Sequence, residues 1–281
     1  MGLRRDVILF FLIAVSVFHC NIFGGNENQS QGARSTGMGD ASVCLVDIWC
    51  AQNNQACLAF LKNAEAGLFV QNRFGLKELN TALLVLAFPR HSGTFGFCVS
   101  SFGYSLYEEN KCGLSYAKKI GNHLSLSIQL DCLSTYIGEG YESRNAFAGE
   151  TGLKAILLKS LSLGVHLYNP SRTILVRSSD ERMATVFRMG LQYEPSPKIL
   201  IAVETEKDNW YTGYFKAGFE YKPSLALSLR AGVTGNPSSF RAGAGIHLSN
   251  ISIDISSSWH PVLGYSQGIG LSFRFRSSKP I

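Results

Sequence analysis

A serine flanked by glycines, Gly264-Tyr-Ser266-Gln-Gly268, has the spacing of a hydrolase nucleophile turn. That chemistry needs a helix behind the serine, and an acid and a histidine further along the chain. Strand-like alternation follows Ser266 instead, with no acid or histidine downstream. His260 and Asp254 come before it, and nothing aligns them with it. Ser266 therefore reads as part of a loop running into the last strand. Gly37-Met-Gly39 has the composition of a phosphate-cradling loop, but such a loop sits between a strand and a helix in a βαβ unit. None is present. His166 and His247 stand on polar faces of strand-like runs, with no carboxylate spacing that makes a metal site. Hydrogen bonding inside a closed wall suits them better.

The seven cysteines lack CxxC or CxxH spacing, so zinc is not expected. Cys20 lies in the leader. Cys44, Cys50 and Cys57 follow early, and Cys98, Cys112 and Cys132 lie in strand-like runs. Cys50 and Cys57 could pair in an oxidising compartment. Small buried apolar positions are the commoner use of such residues. No enzyme, cofactor or metal is expected.

The elements that must position these residues are strands. Charged residues make up only 16% of the 281, below the roughly 25% of a soluble domain. Glycine is frequent at 28, with 18 Phe and 11 Tyr, which suits a β protein with one face in lipid. The net charge of +6 is modest and scattered, with no basic run for nucleic acid.

From Glu65 the apolar period is two. Leu124, Leu126, Ile128 and Leu130 fall on one face, and Ser125, Ser127, Gln129 and Asp131 on the other. The same pattern recurs at Phe215–Tyr221, Leu225–Val233 and Ile251–Ile255. Short breakers recur at Pro89–Gly93, Ile120–Asn122, Lys159-Ser160, Pro195–Pro197, Pro223-Ser224 and Ser249-Asn250. Longer connections alternate with them at Ser105–Asn110, Gly138–Arg144, Asn169–Thr185, Lys207–Trp210 and Trp259–Tyr265, with tighter ones near Gly75-Leu76 and Gly235–Ser238. This divides the chain into about fourteen strands of roughly ten residues, the length of a tilted membrane-spanning strand.

The expected fold is all-β: an antiparallel transmembrane β-barrel with an N-terminal plug, in the bacterial outer membrane. Closure is required because every edge N–H and C=O needs a partner in lipid. Tight turns then face the periplasm and longer loops the outside. Tyr104, Tyr107, Tyr136, Tyr141, Trp210, Tyr211, Trp259 and Tyr265 gather near the longer connections as an aromatic girdle.

Residues 1–25 read as a signal peptide: Arg4 and Arg5, an apolar core too short to span, then a polar chain. Cleavage falls between Cys20 and Gly25; His19 and Phe18 are a poor lead-in to lipid attachment at Cys20. Residues 26–64 form the plug, with a polar irregular start and one or two short helical turns. The barrel takes 65–275 and a tail 276–281. Gly270-Leu-Ser-Phe-Arg-Phe275 has the alternating aromatics of a terminal barrel strand. The polar faces carry Asp131, Arg188, Glu204, Lys216, Glu220, Arg230, Arg241, Asp254 and Arg274. Arg34 and Asp40 of the plug are expected to pair with these lumen charges. Arg188, Glu204, Lys216, Glu220, Arg230 and Arg241 are the candidate partners.

The early segment Gly32-Ala-Arg-Ser-Thr-Gly-Met-Gly-Asp-Ala-Ser-Val43, followed by Asp47–Leu58 with Asn53-Asn-Gln-Ala56, resembles the N-terminal signature of the PorV/PorQ-like outer-membrane proteins, within the FadL-like barrel superfamily. Asn72–Leu79, Tyr136–Tyr141, Val203–Asp208 and His260–Tyr265 add echoes, and cysteine replaces the usual small residue at positions 44, 50 and 57. The resemblance implies a fourteen-stranded, plugged barrel of Bacteroidetes-type bacteria. It implies a non-enzymatic type IX secretion accessory that binds exported protein cargo or secretion partners. The alternative it implies is a FadL-like transporter of hydrophobic small molecules. Outer-membrane lipid is a partner on either reading, and nucleic acid is not.

Overall fold

The computed structural model describes residues 29–138, 143–176, 181–209, 212–235 and 238–275. The signal-peptide and tail readings, and Tyr141, Trp210 and Tyr211, lie outside them. Among the described residues sixteen strands follow one another: β1 (Ala64–Asn72), β2 (Asn80–Arg90), β3 (Gly93–Tyr104), β4 (Tyr107–Ile120), β5 (Leu124–Ile137), β6 (Arg144–Leu158), β7 (Leu161–Tyr168), β8 (Ile174–Val176), β9 (Glu181–Arg182), β10 (Val186–Ser196), β11 (Ile199–Asp208), β12 (Tyr214–Tyr221), β13 (Leu227–Gly235), β14 (Ser238–His247), β15 (Ile251–His260) and β16 (Gly264–Phe275). All but β8 and β9 join in one closed antiparallel barrel, with chain neighbours paired all the way round. The seam is β1 on β16, in register from Ala64 opposite Phe275 to Asn72 opposite Gln267. β8 and β9 form a separate hairpin in the connection between β7 and β10.

The barrel is inside out relative to a soluble protein. On β5, Ser125, Ser127, Gln129 and Asp131 are buried, while Leu126, Ile128 and Leu130 are exposed, Leu130 by 74%. Phe147 and Phe215 stand out further round the wall at 73% and 76%. Strand alternation forces this: one set of side chains faces out and the other in. An outward apolar band around an inward polar lining is the arrangement that lipid selects.

Some of the longer connections are shorter than the breaker pattern suggests. Ser105 and Leu106 alone join β3 to β4, because Glu108–Asn110 continue the ladder opposite Ser134–Tyr136. β11 likewise runs on to Asp208. Polar residues continue the strands to their ends on both faces here, and in sequence they read as loop. The same cause corrects one girdle residue. Tyr136, Trp259 and Tyr265 are outward and exposed, and Tyr104 is exposed at a strand end. Tyr107 is half-buried, and its hydroxyl donates to Glu109.

Candidate functional site

The first described residues fill the lumen. Helix α1 (Ala33–Gly37), helix α2 (Cys50–Asn53) and a 3-10 helix (Gln55–Phe60) are linked by turns and run almost wholly buried. α1 starts earlier than expected, inside the polar stretch read as irregular. It is short because Gly37 and Gly39 end it, Gly39 with a left-handed φ of 67°. Asn53 ties the two helices together: its side chain accepts from Gln31 N at 2.9 Å and donates to Ser35 Oγ at 2.8 Å. Asn54 caps the 3-10 helix by accepting from Ala56 N.

This plug winds round the inner wall at mid-height. α1 packs on β13–β16, Met38 and Gly39 on β12 and β13, Val43 and Cys44 on β7 and β10, and the 3-10 helix on β2–β6. Backbone meets backbone along much of the path. A Cβ on Gly39 would lie 2.6 Å from Ala217 O and from Val233 N. A Cβ on Gly232 would lie 2.6 Å from Gly39 Cα. Glycine is the residue that permits such approach.

Arg34 and Asp40 each reach the wall. The Arg34 guanidinium grips Glu220 through Nε at 3.1 Å and Nη2 at 2.7 Å, and donates through Nη1 to Asp47 at 3.0 Å. A two-pronged contact of this kind fixes geometry as well as charge. Asp40 pairs with Arg241 at 2.6 Å. Glu204 accepts from the backbone N–H of Ser42 and of Val43, each at 2.8 Å. Arg230 bridges Glu220 and Asp254 at 2.7 and 2.6 Å, and its Cβ lies under Gly37.

Lys216 and Arg188 form ion pairs with the wall itself: Lys216 with Glu204 at 3.1 Å and Glu206 at 2.6 Å, Arg188 with Glu206 at 2.8 Å. Arg274 is 51% exposed at the mouth and pairs with Glu65. Burial pushes the Asp47 carboxyl above the usual range despite Arg34 beside it.

Sequence reasoning passed over a second cluster. Lys111, Asp131, Glu150 and His166 meet on β4–β7, with Lys111 on Glu150 at 2.5 Å and His166 Nε2 on Glu150 at 2.8 Å. Gln55 of the plug donates to Glu150 at 2.6 Å. Lys111, Glu150 and Glu206 share the strand parity of the polar face, which is the signal that finds them. Asp47 carries no such signal, since its loop has no period. His247 shares a 2.9 Å hydrogen bond with Ser228.

Cys50 and Cys57 are free thiols that donate to Asp47 O and Val43 O. Burial pushes the Cys57 thiol up to about 11. Ser266 Oγ accepts from Phe74 N, and His260 Nδ1 from Val262 N and Leu263 N. No group of three metal-ligating side chains occurs among the described residues.

A cavity opens on each side of the plug. The upper, of about 250 Å³, lies between the plug and the outer halves of the strands, lined by Gln31, Gln52, Thr81, Phe102, Tyr107, Leu133 and Tyr168 among others. The lower, of about 580 Å³, opens at the other mouth. Val46, Ile48, Trp49 and Leu61 of the plug side and Pro197 and Leu225 of the wall form its apolar side, while Asp47, Glu65, Glu220, Arg230, Asp254 and Arg274 form a charged side.

No family model and no curated protein matches the chain. Solved structures do match. The toluene transporter TbuX of Ralstonia pickettii superposes with a TM-score of 0.72 over 89% of this chain and 100% of its own, at 11% identity. The toluene transporter TodX of P. putida gives 0.69 over 89% and 100%, at 12% identity. A FadL homologue of Pseudomonas aeruginosa gives 0.60 over 88% and 98%, at 13% identity. The fold is that of the FadL-like outer-membrane barrels.

Proposed function

We propose that the protein is an outer-membrane channel that passes small hydrophobic molecules through a plugged barrel. The observation that carries this is the lower cavity, where apolar side chains of plug and wall line one space. A plug that only sealed the lumen has no need of a chamber with an apolar side beneath it. The likeness in fold to structures described as toluene transporters and a monoaromatic hydrocarbon channel supports the same class of cargo. On this reading residues 1–25 are an export leader, 26–64 the plug, 65–275 the wall and 276–281 a tail. The contacts of Arg34, Asp40 and Glu204 act as a latch that a passing molecule loosens. Cells expressing the protein are expected to take up labelled toluene several-fold faster than cells with an empty vector. Equal uptake sinks the proposal.

A secretion accessory of the PorV/PorQ kind is the second reading. It is favoured by apolar side chains on three consecutive outer turns: Leu76, then Leu106, and Val262 and Leu263, Val262 84% exposed. Native purification with crosslinking tests it, and recovery of the barrel without an exported protein or secretion component counts against it.

A further inference from the structure

The rim at the short-turn end of β2–β4 is built in two rows. Strand pairing sets Phe88 opposite Phe95 and Phe95 opposite Tyr116, so three rings of the outward face stand level. Phe88 and Phe95 are 43% and 46% exposed, and the Phe95 and Tyr116 ring centroids lie 5.0 Å apart. Nearer the turn the next outward row is basic. Arg90 stands opposite Gly93. Lys118 follows Ala117, the partner of Thr94, and so is level with Gly93 from the other side. Both cations are exposed. Gly93 leaves room between them, because a Cβ there would lie 2.6 Å from the Tyr116 hydroxyl, which donates to Ser92 O at 2.6 Å.

A cavity of about 430 Å³ is cut into this rim, between the end of the plug and the β2–β3 turn. Lys62, Arg90, His91, Lys118 and Lys119 line it, and among the described residues no carboxylate does. Lys119 rests over the Phe60 ring, 4.6 Å from its centroid. The lower cavity is different, since Asp47, Glu65, Glu220 and Asp254 face the cations there. A cleft lined by one sign of charge concentrates the opposite ion.

Position decides which anion. Rings at the headgroup level, with cationic stems reaching past them, are the order of a membrane boundary. An outer-membrane barrel turns its tight hairpins toward the periplasm, so this rim meets the inner leaflet. A soluble anion would engage the cations and have no use for the rings beside them.

We infer that the β2–β4 rim binds an anionic phospholipid of the inner leaflet. Arg90 and Lys118 take the phosphate, and Phe88, Phe95 and Tyr116 lie along the first chain segments. The site goes beyond the transport proposal and holds whatever the barrel passes.

The test is native mass spectrometry of the purified full-length barrel in detergent, offered equal amounts of dioleoyl phosphatidylglycerol and dioleoyl phosphatidylcholine. The two share their chains and differ in net charge. Wild type is expected to retain phosphatidylglycerol about tenfold over phosphatidylcholine, as two cations beside one anionic headgroup give. The Arg90→Gln/Lys118→Gln variant should bring the ratio close to one. Lys159→Gln/Lys198→Gln removes the same charge from two other short turns and should leave the preference in place. Heat-modifiable gel mobility checks that each variant is still a barrel, and the wild-type ratio stands as a readout without them. Equal retention of the two lipids by wild type overturns the inference. So does a preference that survives in the folded Arg90/Lys118 variant, or one lost as fully in the Lys159/Lys198 variant. Displacement of the lipid by an equimolar glutamate-rich peptide would assign the rim to a soluble acidic partner and overturns the lipid reading as well.

Discussion

The plug meets the barrel in two different ways on its two sides. Toward β11–β15 ionic contacts lead, with Arg34 on Glu220, Asp40 on Arg241, and Glu204 on the N–H groups of Ser42 and Val43, beside a small apolar cluster of Met38, Ala41 and Leu45 on Leu200 and Ala202. Toward β1–β4 it is apolar: Ile48, Trp49, Cys57 and Leu58 pack with Phe69, Leu83, Val85, Ala87, Cys98 and Ala117. Dispersion and burial hold the second side whatever the local charge. The first depends on each ion keeping its partner, because a buried charge without one is costly. The apolar side is thus an anchor, and the ionic side a place where contact can be exchanged.

Trp49 tests the anchor. It is 1% exposed and meets Phe69 edge to face at 6.0 Å. Trp49→Ala should cost ~3–5 kcal/mol in denaturant unfolding of the folded barrel. It should also open the plug to protease. A plug that stays protected would mean that the ionic side holds it unaided.

Glu220→Gln should cost about 3 kcal/mol, since Arg34 and Arg230 both lose a buried counter-charge. The sharper comparison is Arg34→Met with Glu220→Leu together. Removing both partners is expected to cost less than removing Glu220 alone. A double variant that is worse than the single one would make the ionic side a true anchor.

Smaller effects follow from close approach and from single hydrogen bonds. Gly232→Ala sets a methyl against Gly39 and should lose ~1–3 kcal/mol by overpacking. Glu204→Gln weakens two charge-assisted bonds, worth ~1–2 kcal/mol. Faster hydrogen exchange at Ser42 and Val43, with the other plug amides unchanged, would identify that loss. The smallest change is chemical. Cys57 should resist iodoacetamide at pH 8 in the folded barrel and react fully in denaturant, read as a mass shift, because its buried thiol stays protonated.

Much of the wall was legible from parity alone. Leu126, Ile128 and Leu130 against Ser125, Ser127 and Gln129 define a strand, its two faces and the lipid side at once. Parity also places Glu204, Lys216, Glu220 and Arg230 inside. It does not say how two inward groups on different strands come within 3 Å, because that depends on stagger between strands. Hence parity alone did not show that Arg188 and Lys216, both expected at the plug, form ion pairs with Glu206 of the wall. Tyr107 was misread because a tyrosine near a turn looks like a girdle residue, although it shares parity with Glu109 and Lys111. The plug itself has no period, so Asp47, Asn53 and Gln31 carried no sign of their roles.

The winding plug has a consequence for the order of assembly. Arg34 and Glu220 are separated by 186 positions in the chain, and Gly39 and Thr234 by 195. The plug is synthesised before the wall, yet half of its seat is made of the later strands. Contacts so distant in sequence form late and slowly. The seam between β1 and β16 also joins the start of the wall to its end. The plug can therefore settle fully only once the last strands are in place, so seating of the plug and closure of the seam are expected to be coupled steps.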